Sequence, residues 1–283
     1  MSRREATTPP WLGLLPGVAL VLFFLIPFGI MLAVSVALRE PGGFYTWGVD
    51  LVGYRRFLSG FFGGILLTSV LIAAGASFLA VVLALPFTVA LSGLSRRAQT
   101  AVLVMILSVL SLSEVIVGFS VSTLLSQTAG VGNLLAALRI TAEPEAYTPS
   151  LFALMTGLVY LSFPYAVLVL YPPVARLDPE LAQAARTMGA SPLRTFLTVT
   201  VPLLRAPLIG AVILVFVFAL GSYLLPQVLG QPQHWTLSVH ITDQAVFQSN
   251  LPFAAAMATF LLLVALAMVG LALLLGRERE APQ

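Results

Sequence analysis

The side chains that could bind a metal or take part in catalysis are sparse in this sequence. The two histidines, His234 and His240, lie six residues apart, and Asp243 follows them closely. A spacing of six does not put both imidazoles on one face of a helix, and neither a third metal ligand nor a nucleophile accompanies them. We interpret them as loop histidines near a docking surface. The sequence therefore predicts no metal centre and no hydrolytic enzyme.

Two residue types are missing from the chain, and each absence excludes a class of chemistry. The chain has no cysteine, which excludes disulfides, thiolate catalysis and cysteine-ligated metals. All 14 basic side chains are arginines, so lysine is also missing. A phosphate-binding P-loop needs a lysine that reaches the β- and γ-phosphates. We therefore expect that the chain does not hydrolyse ATP by that machinery and carries no cofactor of its own.

One acidic residue stands apart because it lies deep within an apolar stretch. Counted along a helix from Thr100, Glu114 lies about 21 Å into a hydrocarbon core of roughly 30 Å, in its outer half. A charge at that depth is costly and usually faces a cavity or a partner. The carboxylate either lines a route for a solute, is hydrogen-bonded within the helix bundle, or reaches the outer surface.

Composition predicts a membrane protein. Hydrophobic residues make up 59% of the chain, charged residues 9%, and the mean hydropathy is +1.02, whereas about a quarter of the residues of soluble domains are charged. A spanning helix needs roughly 20 apolar residues. The stretches that meet this length are residues 11–38, 64–91, 100–125, 149–171, 206–229 and 252–275. We predict an all-α membrane protein with six transmembrane helices in a single domain over residues 1–283.

A short amphipathic insert, residues 177–202, separates the fourth and fifth apolar stretches. Asp178 is a suitable N-cap and Pro179 suits the first helical position. A helix is therefore predicted from this point to Met188. Gly189 follows and can take the left-handed conformation that ends a helix.

The same insert contains a second helix start and an apolar face. Ser191 is the second cap, and Pro192 follows it. In the first helix the apolar residues recur at i, i+3, i+4 and i+7. They are Leu181, Ala184, Ala185 and Met188. The small residues let another surface come close, whereas a helix lying on lipid headgroups carries bulky anchors and a basic face.

At this insert the sequence resembles the permease subunits of binding-protein-dependent ABC importers, which have the type I fold. Their signature is Glu-Ala-Ala, three residues, Gly, nine residues, Ile, any residue, Leu-Pro. Here Gln183-Ala184-Ala185, Gly189 and Val199-Thr200-Val201-Pro202 stand at the same spacing. The resemblance implies a cytoplasmic coupling helix that a separate ATPase grips. It assigns the coupling contact to Gln183, Ala184, Ala185, Arg186, Met188, Gly189 and Pro202.

Two further segments resemble the spermidine/putrescine-type permeases of that family. Residues 112–118 are similar to the subgroup's Pro-Glu-Val-Val-x-Gly, with serine in place of proline. Residues 221–230 are similar to its Gly-Asp-Phe-x-x-Pro-x-Leu-Leu-Gly, with Ser222 where aspartate is common. The resemblance implies a substrate pathway that includes Glu114 and Tyr223. A carboxylate on that route suits a cationic solute.

The arginines predict the orientation in the membrane. With the N-terminus inside, the cytoplasmic arginines outnumber the outer ones, as the positive-inside rule requires. The cytoplasmic set is Arg3, Arg4, Arg96, Arg97, Arg176, Arg186, Arg194, Arg205, Arg277 and Arg279, and the outer set is Arg39, Arg55, Arg56 and Arg139. We expect a multi-pass protein of the bacterial inner membrane with both termini and the insert in the cytosol. No run of basic residues indicates nucleic-acid binding.

The resemblance implies a transport subunit and not an enzyme. It implies as partners a dimer of ABC ATPase subunits that binds the ATP, a second permease subunit, identical or paralogous, a periplasmic substrate-binding protein and membrane lipid. The expected solute is a polyamine or a related organic cation, with ferric iron, thiamine, phosphonate and sulfate as alternatives. An ion-coupled secondary transporter is the rival of another class, although such proteins place several ionisable residues near mid-membrane.

Overall fold

The computed structural model describes residues 11–40 and 43–277, which are almost entirely helical. In chain order the α-helices are α1 (Trp11–Ser35), α2 (Val52–Phe57), α3 (Gly60–Ser92), α4 (Arg96–Leu110), α5 (Glu114–Leu124), α6 (Val131–Ala137), α7 (Leu151–Ala175), α8 (Pro179–Thr187), α9 (Pro192–Thr195), α10 (Val201–Leu203), α11 (Arg205–Gly221), α12 (Leu224–Leu229), α13 (Leu237–Thr242) and α14 (Leu251–Arg277). The predicted all-α class is confirmed. Arg3, Arg4 and Arg279, on which part of the predicted orientation rests, lie outside the described residues.

Apolar helices long enough to cross a membrane are the largest elements of the described chain. Four stretches are long and apolar enough by themselves. They are Pro16–Ser35 in α1, the whole of α3, the whole of α7, and Leu251–Leu271 in α14. Two pairs are long and apolar enough together but are bent, α4 with α5 by 95° and Pro192–Leu203 with α11 by 77°. The described residues thus hold four to six candidate spans, and the predicted number, six, is reached when each bent pair counts as one. The second pair begins at Pro192, inside the predicted insert, and not at residue 206 as predicted.

The contacts within the chain divide it into two compact units, although the sequence predicts a single domain over residues 1–283. The described parts of Met1–Ser59 and Ile241–Phe260 form the first unit, and those of Gly60–His240 and Leu261–Gln283 form the second. In the first unit the rings of Phe57 and Phe260 stack with centroids 4.0 Å apart. The hydroxyls of Ser35 and Tyr54 lie 2.6 Å apart in the same unit.

The core of the second unit forms where α3, α7 and α11 pack together. Along α3 a row of buried alanines, Ala73, Ala76, Ala80 and Ala84, lies on one helical face. Such small side chains let neighbouring helices approach closely in lipid. Large buried side chains fill the remaining space, among them Leu154, Leu158, Phe216 and Leu220.

The predicted span over residues 100–125 is not one continuous helix, because the chain breaks between α4 and α5. At the break Ser113 has an extended backbone, and its hydroxyl accepts a 3.2 Å hydrogen bond from the N–H of Val115. A serine in this role starts a new helix by satisfying a backbone N–H that the helix itself leaves free. Glu114 is therefore the first residue of α5, where the helix dipole favours a carboxylate, and not a residue inside a long helix.

The predicted span over residues 206–229 is divided as well. The helix α11 ends at Gly221, Ser222 is extended, and α12 follows. Pro226 has no N–H to donate to the carbonyl of Ser222. That carbonyl instead accepts a 3.5 Å hydrogen bond from Oγ1 of Thr236. The proline thus coincides with a break in a stretch whose hydropathy is continuous.

The segment after α12, which the sequence assigns to an outer loop, is buried at its centre within the second unit. The buried residues are Thr236, Leu237, Ser238 and Val239. The N–H of Leu237 donates to Oγ of Ser69 at 2.7 Å. The hydroxyl of Ser238 donates at 2.7 Å to the carbonyl of Leu220, near the end of α11. Backbone groups freed by the broken span are therefore satisfied by side chains, as an apolar environment requires.

We expect Gly230→Ala to destabilise the protein, because an added Cβ would lie 2.6 Å from the carbonyl oxygen of Pro226. The usual cost of such overpacking is about 1–3 kcal/mol. Gly210→Ala is the matched control, since a Cβ there meets nothing within 4 Å. Thermal unfolding of the purified protein in detergent measures the difference. Equal midpoints for the two variants would contradict the packing described here.

Candidate functional site

The insert over residues 177–202 contains both of the helix starts that its sequence predicts. At the first, Oδ1 of Asp178 accepts a 2.9 Å hydrogen bond from the N–H of Glu180. At the second, Oγ of Ser191 accepts a 3.3 Å hydrogen bond from the N–H of Arg194. A proline follows each cap and occupies the first helical turn. These contacts are local, so residues close in the sequence fix where each helix of the insert begins.

The end of α8 is closed by a glycine, as predicted. Gly189 has a φ of +88°, which L side chains rarely adopt. The N–H of Ala190 donates to the carbonyl of Ala185 at 3.1 Å, the pattern of a Schellman cap. The helix itself ends at Thr187, and Met188 is its C-cap. The predicted helix is therefore confirmed, with its end one residue earlier.

The predicted coupling residue Pro202 follows a widened turn. The backbone over Phe196–Thr200 is π-helical, and the N–H of Val201 donates to the carbonyl of Phe196. Pro202 then has no N–H to restore the ordinary α-helical pattern. Short π-helical turns are frequent at functional sites.

The predicted coupling residues lie on the exposed side of the insert, with one exception. The exposed ones are Gln183, Ala184, Arg186, Met188, Gly189 and Pro202. Ala185 is buried, so the predicted apolar face is divided and only part of it faces outwards. The exposed apolar side chains Leu181, Met188, Leu193 and Leu197 are called the insert patch below. On a segment outside the membrane, such side chains would form an interaction surface.

A polar side chain that the sequence analysis did not single out fastens the turn between α3 and α4. Gln99 donates from Nε2 to the carbonyls of Ser92 and Leu94, both at 2.9 Å. Its Oε1 accepts a 2.8 Å hydrogen bond from the hydroxyl of Tyr171, near the end of α7. Next to this turn a cavity of about 160 Å³ is lined by residues that include Ser92, Val174, Leu177 and Leu181. Gln99 thus links the turn between α3 and α4 to the end of α7, next to the start of the insert.

The carboxylate of Glu114 joins the two broken spans. Its Oε1 accepts hydrogen bonds from the hydroxyl of Ser222 and, at 3.3 Å, from the N–H of Leu225. Glu114 is half-buried, and Ser222 is only 6% exposed. Oε2 has no hydrogen-bond partner in the part of the chain that the structure describes. The carboxylate is therefore hydrogen-bonded within the bundle and still has one oxygen available.

The second predicted pathway residue, Tyr223, lies beside this junction and not in it. It follows Ser222 in the chain and is 41% exposed. Among the described residues no hydrogen bond joins its side chain to Glu114. The structure thus brings Glu114 together with Ser222, whereas Tyr223 contributes an exposed aromatic ring next to them.

A glycine allows α5 and α12 to approach each other at the junction. A Cβ added at Gly118, one turn after Glu114, would lie 3.3 Å from Cδ2 of Leu225. This close packing keeps the N–H of Leu225 beside the carboxylate. The sequence analysis singled out Glu114 and noted Ser222 as unusual, but it did not pair them, because hydropathy carries no information about contacts between residues 108 positions apart.

The two histidines take part in local contacts. Nδ1 of His234 accepts a 3.3 Å hydrogen bond from the N–H of Gln231. The ring of His240 lies 6.3 Å from that of Trp235, centroid to centroid. Within residues 11–40 and 43–277 no group of three His, Asp or Glu side chains is placed to hold a metal ion.

Comparison with known proteins gives a consistent result. No protein-family model matches the chain. The spermidine/putrescine transport system permease protein PotB of Escherichia coli (strain K12) is 29% identical over 247 residues, which cover 87% of this chain and 89% of that protein. A bacterial ABC transporter involved in the import of the acidic polysaccharide alginate is similar in structure, with a TM-score of 0.76, 18% identity and 96% of both chains covered. An alginate ABC transporter in complex with an alginate pentasaccharide-bound periplasmic protein gives a TM-score of 0.74, 17% identity and 94% coverage of both chains.

The chain is an ABC importer permease. Its relationship to PotB and its fold agree, so the predicted family and the predicted type I permease fold are confirmed. As a permease with several apolar helices it is a multi-pass protein of the inner membrane. The permease therefore has two candidate sites, the exposed insert and the junction at Glu114.

We expect Glu114→Leu to destabilise the permease more than Glu114→Gln. Leucine would leave the buried hydroxyl of Ser222 and the N–H of Leu225 without their acceptor, at a cost of about 1–3 kcal/mol. Glutamine retains an acceptor oxygen of the same reach. Thermal unfolding of both variants in detergent provides the measurement. A leucine variant as stable as the glutamine variant would argue against the junction.

Proposed function

We propose that this permease imports a small organic cation, with a polyamine as the favoured solute. The observation that carries the proposal is the carboxylate of Glu114, which is half-buried at the break between α4 and α5 and has Oε2 without a partner among the described residues. A carboxylate among apolar helices attracts a positively charged amine and repels an anion. The name of the E. coli relative, a spermidine/putrescine permease, supports the same class of solute.

We infer that a dimer of ABC ATPase subunits binds the insert patch and supplies the motion. The chain lacks the lysine of a P-loop, so ATP binds to the partner and the permease carries no cofactor of its own. The locally capped helix α8 gives that partner a rigid element to move. A second permease subunit and a periplasmic binding protein complete the importer. The alginate transporter complex with its periplasmic protein supports the binding protein as a partner. The arginine distribution supports a cytosolic position for the insert and both termini.

The alternative solutes differ in charge, and the carboxylate of Glu114 would favour cations over anions. The fold does not select a solute, since the similar alginate transporter imports an acidic polysaccharide. Sulfate and phosphonate are anions and are disfavoured beside Glu114, whereas ferric iron and thiamine are cationic and stay second to a polyamine because of the PotB relationship. An ion-coupled secondary transporter gathers several ionisable residues near mid-membrane, a pattern that the described spans lack.

The test of the proposed solute is uptake by the complete importer in proteoliposomes, with radiolabelled putrescine and radiolabelled sulfate as probes. We expect putrescine uptake, and we expect Glu114→Gln to lower it about tenfold, the effect of losing one charge-assisted hydrogen bond. Glu143→Gln, at an exposed acidic residue, is the control and should leave uptake unchanged. Sulfate uptake without putrescine uptake would overturn the proposal.

The coupling role of the insert leads to a separate prediction. Gly189→Val forces a β-branched residue into φ +88°, at a cost of roughly 1–2 kcal/mol, and should displace the end of α8. We expect ATP hydrolysis to continue while the solute transported per ATP falls. Gly189→Asn should come close to wild type, because asparagine tolerates this conformation. Unchanged uptake per ATP in the valine variant would count against the docking of an ATPase at this helix.

A further inference from the structure

The two oxygens of the Glu114 carboxylate have different surroundings. Oε1 accepts two hydrogen bonds, from the hydroxyl of Ser222 and from the N–H of Leu225. A carboxylate oxygen has two lone-pair sites, so these donors occupy both sites of Oε1. Oε2 has no partner in the described parts of the chain. A solute therefore meets a carboxylate that has one oxygen to offer.

The backbone N–H and the backbone carbonyl of Ser222 are both hydrogen-bonded. Its N–H donates to the carbonyls of Phe218 and Ala219, at 3.2 and 3.3 Å. Its own carbonyl accepts the 3.5 Å hydrogen bond from Thr236. With 6% exposure, the residue has little room to turn its hydroxyl away from Glu114. The occupation of Oε1 is thus a property of the fold and not of a mobile side chain.

A carboxylate with one open oxygen distinguishes between two kinds of organic cation. An alkylammonium group is a compact charge with rotatable donors and can bind a single oxygen. A guanidinium group has a planar fork of donors that matches both oxygens of a carboxylate, and its strongest pairing uses both. When Oε1 is occupied, the guanidinium loses one of its two hydrogen bonds, whereas the ammonium loses nothing.

We propose that Ser222 is a specificity-determining residue that restricts Glu114 to one-oxygen binding and so favours alkylammonium over guanidinium solutes. The inference rests on the proposed function, because it assumes that the solute is a cation that reaches Glu114. Ser222 acts on the solute through Glu114 and is therefore a positioning residue. An ionised aspartate at this position could not donate to Oε1 as the serine does.

The experiment compares putrescine with its diguanidino analogue, which has the same four-carbon spacer. Equilibrium binding of both radiolabelled compounds to the purified importer complex, without the binding protein, gives a preference ratio. We expect wild type to prefer putrescine by about tenfold, the value of one charge-assisted hydrogen bond. Ser222→Ala frees a lone pair of Oε1 and should bring the ratio close to one by strengthening the binding of the diguanidino compound.

Three further variants separate the possible failures. Ser222→Thr retains the hydroxyl and should retain the preference. Ser77→Ala removes another buried hydroxyl, one that donates within its own helix to Ala74, and should leave the ratio unchanged. The role of Ser222 would be overturned if wild type bound both compounds equally, or if Ser222→Ala kept the wild-type ratio. The wild-type result is decisive even if Ser222→Ala does not fold. Undiminished putrescine binding by Glu114→Gln would instead overturn the proposed function.

Discussion

Within the hydrocarbon core every backbone N–H and C=O needs a partner inside the protein, and this requirement governs the broken spans of the permease. A break leaves several such groups free at once. Here Ser113 caps α5, Thr236 donates to the carbonyl of Ser222, and Ser238 donates to the carbonyl of Leu220. The hydroxyls that permit the breaks therefore come partly from the segment after α12, which explains why that segment is buried.

The same requirement brings a charge into the bundle. Glu114 starts α5, and its Oε1 accepts the N–H of Leu225 in the first turn of α12. The carboxylate of Glu114 thus accepts hydrogen bonds from the broken stretch 206–229, while Glu114 itself begins a helix at the break in the stretch 100–125. This structural task leaves Oε2 as the oxygen without a partner among the described residues. In the proposed function that oxygen is the one that a cationic solute would meet.

The insert follows a different physical logic. Its helix starts and its glycine end are formed by residues close in sequence, such as Asp178, Gly189 and Ser191. Ala185 is buried against the rest of the protein, whereas apolar side chains such as Met188 remain exposed. The same fold occurs in a transporter of an acidic polysaccharide.

The sequence by itself determined the helical membrane class, the apolar stretches and the helix boundaries of the insert, because hydropathy, caps and left-handed glycines act over a few residues. It also singled out Glu114 by its depth. Only the tertiary structure decided that the stretches 100–125 and 206–229 are broken, that Ser222 meets Glu114 from 108 positions away, and that Thr236 is buried. A continuous and a broken apolar helix have the same hydropathy, and the groups that bond to the freed backbone atoms lie far along the chain. The physical reason is the distance in sequence between hydrogen-bond partners. The caps of the insert bond to neighbouring residues, whereas the backbone groups freed at a break find their partners only through tertiary packing.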